Sequence, residues 1–281
     1  MCCRDPTYGK VCIEPTIFCM QCVACKEGAR NACENLGFYG LSGLTGGLAE
    51  LSIVDEQKAH VLPDNVPNDI GALIEPLSCA WHAVQLSGFR KGQTALVIGA
   101  GPIGAGIILC LEAFGAKTIL VSEPADTRRH QAKELGAHFT LDPRNENVTE
   151  RAKTITNGGC DLVFDASGKP ITIETALACV RPRGTVYSIA IWNSPITLDM
   201  SKIMSPEIRL LGGMCFSEGD FPAVIDAVST GRIRSPGRMI TSKIPMEETE
   251  KGFQELIENT AAHIKIIVSP IHSGTSNQLR L

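Results

Sequence analysis

Apolar and polar positions change period along the chain. Thr94–Ile98, Lys117–Ser122, His138–Leu141, Cys160–Asp165, Gly184–Ile191 and Glu207–Met214 are short runs rich in apolar and β-branched residues and read as strands. Between them, Ile107–Phe114, Thr127–Leu135, Thr149–Thr156 and Pro170–Val180 carry helical patterns. Repeated β–α alternation at this spacing predicts a parallel sheet with helices on both faces, and right-handed crossovers make it doubly wound. Upstream, Ala49–Val54 reads as a short strand. Asp69–Leu86 reads as one helix with Ile70, Leu73, Leu77, Ala80, Trp81 and Val84 on its apolar face. Gly37, Gly40, Gly43, Gly46 and Gly47 mark a loop. Downstream, the pattern predicts helices at Phe221–Thr230 and Glu247–Glu258, strands at Met239–Ile244 and Ile264–Val268, and a polar, frayed tail at Ser273–Leu281.

The first strand of the alternating series runs into Gly99-Ala-Gly101-Pro-Ile-Gly104, which opens a helix. This is G-x-G-x-x-G between a strand and a helix, the context that gives the pattern meaning. The first glycine permits the tight turn, the second lets a pyrophosphate approach the backbone, and the third lets helix and strand pack closely. The next strand ends at Glu123, 19 positions beyond Gly104. That is close to the spacing of about 20 at which an acid binds the adenosine ribose. The combination predicts dinucleotide binding.

Cysteine adds a second chemistry. Four of the twelve cysteines stand at Cys19, Cys22, Cys25 and Cys33. Thiolates so closely spaced can converge on one tetrahedral Zn²⁺, and four of them leave no open position, so the site is structural. Cys2, Cys3 and Cys12 have no partner pattern. Met1–Lys10 holds no apolar signal segment, so the chain reads as cytoplasmic, where thiols point to metal rather than disulfides. A length of 281 residues suits about two domains. A net charge of −4 without a basic run argues against nucleic acid, and the apolar runs are too short to span a membrane.

These residues carry a family likeness. The chain resembles the zinc-containing medium-chain alcohol and polyol dehydrogenases, most closely fungal 2,3-butanediol dehydrogenases and their sorbitol-dehydrogenase relatives. The matching stretches are Val11-Cys-Ile-Glu-Pro15, the cysteine lobe, Gly46-Gly-Leu-Ala-Glu50, Glu75-Pro-Leu, Gly99–Gly104, Ser122-Glu123, Asp165-Ala-Ser-Gly168, Ile189-Ala-Ile-Trp192 and Ile264-Lys-Ile-Ile267. The resemblance implies an α/β protein: a Rossmann sheet plus a remnant of a β-rich GroES-like catalytic domain. The implied division is residues 1–78 with a zinc lobe at about 11–40, 79–217 for the dinucleotide, and 218–281 returning to the catalytic domain. It implies structural zinc on Cys19, Cys22, Cys25 and Cys33, and cofactor contacts at Gly99, Gly101, Gly104, Glu123 and Arg128. Lys265 lies where a basic residue approaches the cofactor. Glu75 matches an acid of the catalytic-zinc shell.

Relatives begin with a longer β-rich half that supplies the other catalytic-zinc ligands and the proton relay, whereas Met1 here falls just before the lobe. His60, His82 and His130 do not occupy matching positions, so no catalytic residue is assigned. The expected activity is NAD-dependent interconversion of a secondary alcohol or diol and a ketone, in a possible homodimer or homotetramer. The alternative is a truncated, non-catalytic protein that binds dinucleotide and zinc. Loss of the upstream half is also expected to expose apolar surface at Asp69–Leu86 and on Gly184–Met214.

Overall fold

The computed structural model describes residues 2–5, 7–42 and 46–270. The chain starts with β1 (Cys2–Asp5) and β2 (Gly9–Ile13), antiparallel, with Cys2 opposite Cys12. A two-stranded ribbon of β3 (Thr16–Ile17) and β4 (Gly37–Phe38) encloses the cysteine lobe, whose single helical turn is α1 (Val23–Lys26). Strand β5 (Ala59–Val61) pairs with β2. The strand expected over Ala49–Val54 does not form: this stretch is irregular, with Leu51 87% and Ile53 84% exposed. Apolar residues here do not alternate into a core, so the pattern misled. Gly43 and the Ser273–Leu281 tail lie outside the described residues.

Glu14, just after β2, ties this sheet together. Its carboxylate accepts from Lys58 at 2.6 Å, Thr16 at 2.7 Å and His60 at 3.2 Å. Burial pushes its pKa up, but the bonds from His60, Lys58 and Thr16 outweigh it and hold the group at about 2. A carboxylate depressed from its ordinary 4.5 contributes stability that is fully present above that value. The contribution is lost as pH falls from 4.5 through 2. Glu14→Gln is therefore expected to lower stability by ~2 kcal/mol at pH 7 and to flatten the loss of stability between pH 5 and pH 3. Urea melts of both proteins across that range check this, and parallel curves would refute it.

The single helix expected over Asp69–Leu86 is two: α2 (Asn68–Gly71) and α3 (Ile74–Leu86). Gly71 sits against β1, where an added Cβ would lie 2.5 Å from Leu62 and 2.8 Å from the Cys2 sulfur. Pro76 falls in the first turn of α3, where its missing N–H leaves no helical bond unmade. Almost all of α3 is buried, including Leu77, Ala80, Trp81 and Val84. The apolar exposure expected for Asp69–Leu86 is thus overturned: Pro102–Ala113 and Asp220–Ser229, both helical, pack against this helix.

Strands β6 (Thr94–Ile98), β7 (Thr118–Ser122), β8 (Phe139–Leu141), β9 (Cys160–Asp165), β10 (Val180–Ser188) and β11 (Arg209–Gly212) form one parallel sheet in the order β11-β10-β9-β6-β7-β8. The chain reverses its direction of winding between β6 and β9, the switch point where such sheets bind ligands. Buried on both faces, the central strands β6, β7 and β9 are near-continuous apolar runs, whereas the edge strand β11 is largely exposed. Helices α4 (Pro102–Ala113), α5 (Asp126–Glu134), α6 (Val148–Thr156) and α7 (Pro170–Cys179) cross between them, and the short α8 (Ser201–Met204) precedes β11. The strand expected at Gly184–Ile191 starts earlier, at Val180, with an irregular register, and ends at Ser188.

Helix α3 lies against α4. An added Cβ at Gly106 would be 3.0 Å from the Ala80 Cβ, and the Trp81 ring packs on Phe114 at 4.5 Å. Helix α9 (Asp220–Ser229) contacts the far side of α3. The chain ends with β12 (Ile240–Pro245), α10 (Thr249–Glu258) and β13 (Lys265–Ser269), with β12 and β13 parallel.

Candidate functional site

At the end of β6, Gly99 adopts φ +94° and donates to the Ser122 carbonyl at 2.8 Å. The left-handed conformation makes glycine the low-strain residue there. Gly101 precedes α4, and an added Cβ would meet nothing within 4 Å. The backbone at this point is therefore bare and open to a ligand. Gly104 is the opposite case: its Cβ would fall 1.9 Å from the Gly99 oxygen. Pro102 has no N–H, and the N–H groups of Ile103 and Gly104 lie in the first turn, where they have no intrahelical acceptor. An open glycine and free N–H groups at a helix N-terminus form an anion-binding cradle.

Glu123 stands beside it, 4% exposed. Its two oxygens accept from the N–H of Ala100 at 2.8 Å and of Ala125 at 2.9 Å. A carboxylate has about four acceptor positions, so about two remain for a ribose. Arg129 donates to the carbonyls of Glu123 and Pro124 and to Asp126, and lies 3.2 Å from Asp142. Arg128 bonds the carbonyls of Thr260 and His263, so the structure directs this predicted cofactor contact to the C-terminal segment. Across the switch point, Asp165 accepts from the N–H of Ser167 at 3.1 Å, while its other oxygen is buried without a partner.

The four predicted zinc ligands converge. All four sulfurs lie within 4.8 Å of one another, with Cys19–Cys33 at 3.5 Å and Cys19–Cys25 and Cys22–Cys33 at 4.0 Å. A tetrahedron with metal–sulfur bonds of about 2.3 Å has edges of about 3.8 Å, so the set fits Zn²⁺. Backbone N–H groups, led by Gln21, pull the Cys19 thiol down to about 6, and those of Glu34 and Cys25 pull Cys22 down. Burial and the neighbouring thiols push Cys25 up to about 12. Two of the four thiols are thus shifted toward the thiolate form that a metal takes.

Glu75 lies in the first turn of α3. One turn on, the Cys79 sulfur is 3.7 Å from its Oε1. Burial, then the Glu75 charge and Cys215, hold the Cys79 thiol well above its ordinary range. Burial and then Glu75 push Cys215 up to about 11. The acid read as metal-facing and a thiol not singled out in the sequence thus lie side by side on one helix.

Residues 102–230 match the zinc-binding dehydrogenase family, and residues 9–64 match the alcohol dehydrogenase GroES-like domain. The chain is 38% identical over 292 residues to a probable diacetyl reductase, (R)-acetoin forming, of Saccharomyces cerevisiae, which covers 96% of this chain and 70% of the relative. It belongs to the zinc-binding alcohol dehydrogenase family. An (R,R)-butanediol dehydrogenase of the same yeast is 38% identical to this dehydrogenase over 260 residues, covering 90% and 68% of the two chains. The crystal structure of 2R,3R-butanediol dehydrogenase from Bacillus subtilis superposes with a TM-score of 0.87 at 32% identity, over 93% of this chain and 74% of that one.

The dehydrogenase also holds a network that no local motif announces. His82, on α3, contacts Asp220 through Nδ1 at 2.9 Å, and the same nitrogen lies 3.3 Å from the Ser217 hydroxyl. Its Nε2 is 3.4 Å from Asn31 of the cysteine lobe, which donates to the Met214 carbonyl at 3.0 Å. His60 serves Glu14, and His130 lies exposed 3.5 Å from Glu134.

Proposed function

We propose that this dehydrogenase uses NAD to interconvert a secondary alcohol, a vicinal diol in particular, and the corresponding ketone. The observation that carries the reading is the cradle at Gly99–Gly104 with Glu123 beside it, in a chain whose relatives include a butanediol dehydrogenase and an acetoin-forming reductase. In this reading the pyrophosphate lies over Gly101 and accepts from the first-turn N–H groups of α4. Glu123 accepts from the ribose hydroxyls and opposes a 2′-phosphate. Arg128 is engaged by the carbonyls of Thr260 and His263, and the charge of Arg129, beside Glu123, is offset by Asp126 and Asp142. Cys19, Cys22, Cys25 and Cys33 hold a structural zinc, and Glu75 belongs to the shell of a second metal ion. A zinc ion there would act as a Lewis acid on the alcohol oxygen. Helix α3 sets Glu75 in place by packing on α4, the helix that starts at the cradle.

The division into residues 1–78, 79–217 and 218–281 belongs to the same reading. So does a homodimer through β11, whose outer edge pairs with no strand among the described residues and leaves Leu210 partly exposed.

NADH consumption with acetoin or diacetyl, and NAD reduction with 2,3-butanediol, test the substrate class; turnover confined to primary alcohols would reject it. Glu123→Ala is expected to weaken NADH binding about 10–100-fold, the equivalent of 1.5–3 kcal/mol for charge-assisted bonds. NADPH should lose much less. The ratio of the two affinities, from fluorescence titration, is the readout, and an unchanged ratio would count against the ribose role.

A further inference from the structure

We infer that Cys2 and Cys12 are a redox-sensitive pair that closes into a cross-strand disulfide and fastens β1, the edge strand of the N-terminal sheet. Both are free thiols in this structure, Cys2 partly exposed and Cys12 buried. Register brings them together. Strands β1 and β2 are antiparallel, and Cys2 stands directly opposite Cys12.

The hydrogen bonds on the other side of β2 determine how close that pair is. The Lys10 carbonyl accepts from the Leu62 N–H, and the Glu14 N–H donates to the Lys58 carbonyl, both at 2.9 Å. Lys10, Cys12 and Glu14 therefore turn their backbone groups toward β5, and Gly9, Val11 and Ile13 turn theirs toward β1. Cys3 and Val11 thus exchange the ladder bonds, while Cys2 and Cys12 form the neighbouring pair that is not hydrogen-bonded. The Cα atoms of such a pair lie about 4.5 Å apart, with the side chains at their closest. A disulfide spans Cα separations of about 4.4–6.8 Å.

The two sulfurs also converge on one neighbour. The Cys12 thiol donates to the Gly71 carbonyl at 3.0 Å, and a Cβ added to Gly71 would lie 2.8 Å from the Cys2 sulfur. Cys3 projects from the opposite face of the sheet, because successive side chains of a strand alternate. It cannot take the place of Cys2.

A hydroperoxide supplies the oxidising equivalents. The Cys2 sulfur attacks the peroxide oxygen, the O–O bond breaks, and Cys2 becomes a sulfenic acid as an alcohol leaves (water, when the oxidant is hydrogen peroxide). The Cys12 sulfur then attacks the Cys2 sulfur, the S–S bond forms, and the hydroxyl leaves as water. Two thiols give up two electrons and two protons, and the peroxide takes up both. Burial pushes the Cys2 thiol up to about 11 and the Cys12 thiol up to about 12, so neither is a fast nucleophile at neutral pH and the bridge forms slowly. Closure also removes the S–H that bonds Gly71, so the change reaches the end of α2, just before the helix that carries Glu75.

The experiment treats the zinc-loaded chain, whose lobe thiols are held by metal, with hydrogen peroxide over several hours. Tryptic digestion without reductant should yield the peptide ending at Arg4 joined to the peptide starting at Val11, and tandem mass spectrometry should place the link at Cys2 and Cys12. Dithiothreitol should separate them. Deuterium uptake by β1, which pairs with β2 alone among the described strands, should slow at least tenfold in the oxidised protein. Cys2→Ser alters a partly exposed position and should abolish both effects, whereas Cys3→Ser should keep them. Near-ultraviolet circular dichroism of each variant reports the fold. A Cys2–Cys3 link, no link at all, or uptake by β1 unchanged on oxidation would overturn the proposal.

Discussion

Gly104→Ala is expected to abolish dinucleotide binding and to destabilise the fold by ~3 kcal/mol or more, whereas Gly101→Val removes binding and leaves the fold nearly intact. The two glycines stand three residues apart in one motif, but they face different surroundings. At Gly104 the new methyl would be 1.9 Å from the Gly99 oxygen and 2.9 Å from its carbonyl carbon. Both are backbone atoms of a turn held by the Gly99–Ser122 bond. They cannot rotate away as a side chain can, so the strain falls at or beyond the upper end of the usual 1–3 kcal/mol for overpacking. At Gly101 nothing lies within 4 Å and φ is −72°, which valine adopts. Its side chain would occupy the space assigned to the pyrophosphate. Chemical denaturation and NADH titration of both variants separate the effects. Equal stability losses, or NADH binding by Gly101→Val within tenfold of the unaltered protein, would refute the assignment.

Chelation of the lobe zinc is expected to unfold residues 19–33 while the Rossmann sheet persists. Structural zinc in small cysteine sites contributes on the order of 10–16 kcal/mol. Nothing else in the lobe approaches that figure. It holds one four-residue helix, one short 3-10 turn and the two-residue ribbon strands β3 and β4. Without the metal, four clustered thiols that share hydrogen bonds with their own backbone do not make a core. Zinc release into a chromophoric chelator, followed by limited proteolysis, checks this. Cleavage should concentrate between Cys19 and Cys33, and chelated protein that resists it there would refute the structural role.

The parallel sheet was legible because strands buried on both faces are written as unbroken apolar runs, as in Thr94–Ile98 and Cys160–Asp165. The cradle was legible because its chemistry is local: Gly99 to Glu123 is one βαβ unit. The cysteine lobe was legible for the same reason. Asp69–Leu86 was misread as one helix because the apolar period continues through Gly71, and the break arises from the packing of β1 and Leu62 against that residue. Leu51 and Ile53 suggested a strand, yet no neighbour buries them. Arg128 could not be placed from sequence, since its acceptors are backbone carbonyls of Thr260 and His263, which leave no trace in residue identity. Glu75 and Cys79 could have been paired from their i, i+4 spacing.

The Asn31–His82–Asp220 contacts join parts of the chain that lie far apart in sequence. Thr94 and Thr118, paired in β6 and β7, are 24 positions apart, whereas Asn31 and Met214 are 183 apart. Closing the larger loop costs about 2 kcal/mol more in chain entropy. Loop entropy therefore favours βαβ pairing ahead of docking of the lobe. Bonds made after the transition state act on the rate of unfolding rather than of folding. The polar atoms at the junction of lobe, α3 and α9 are thus expected to slow unfolding more than they speed folding.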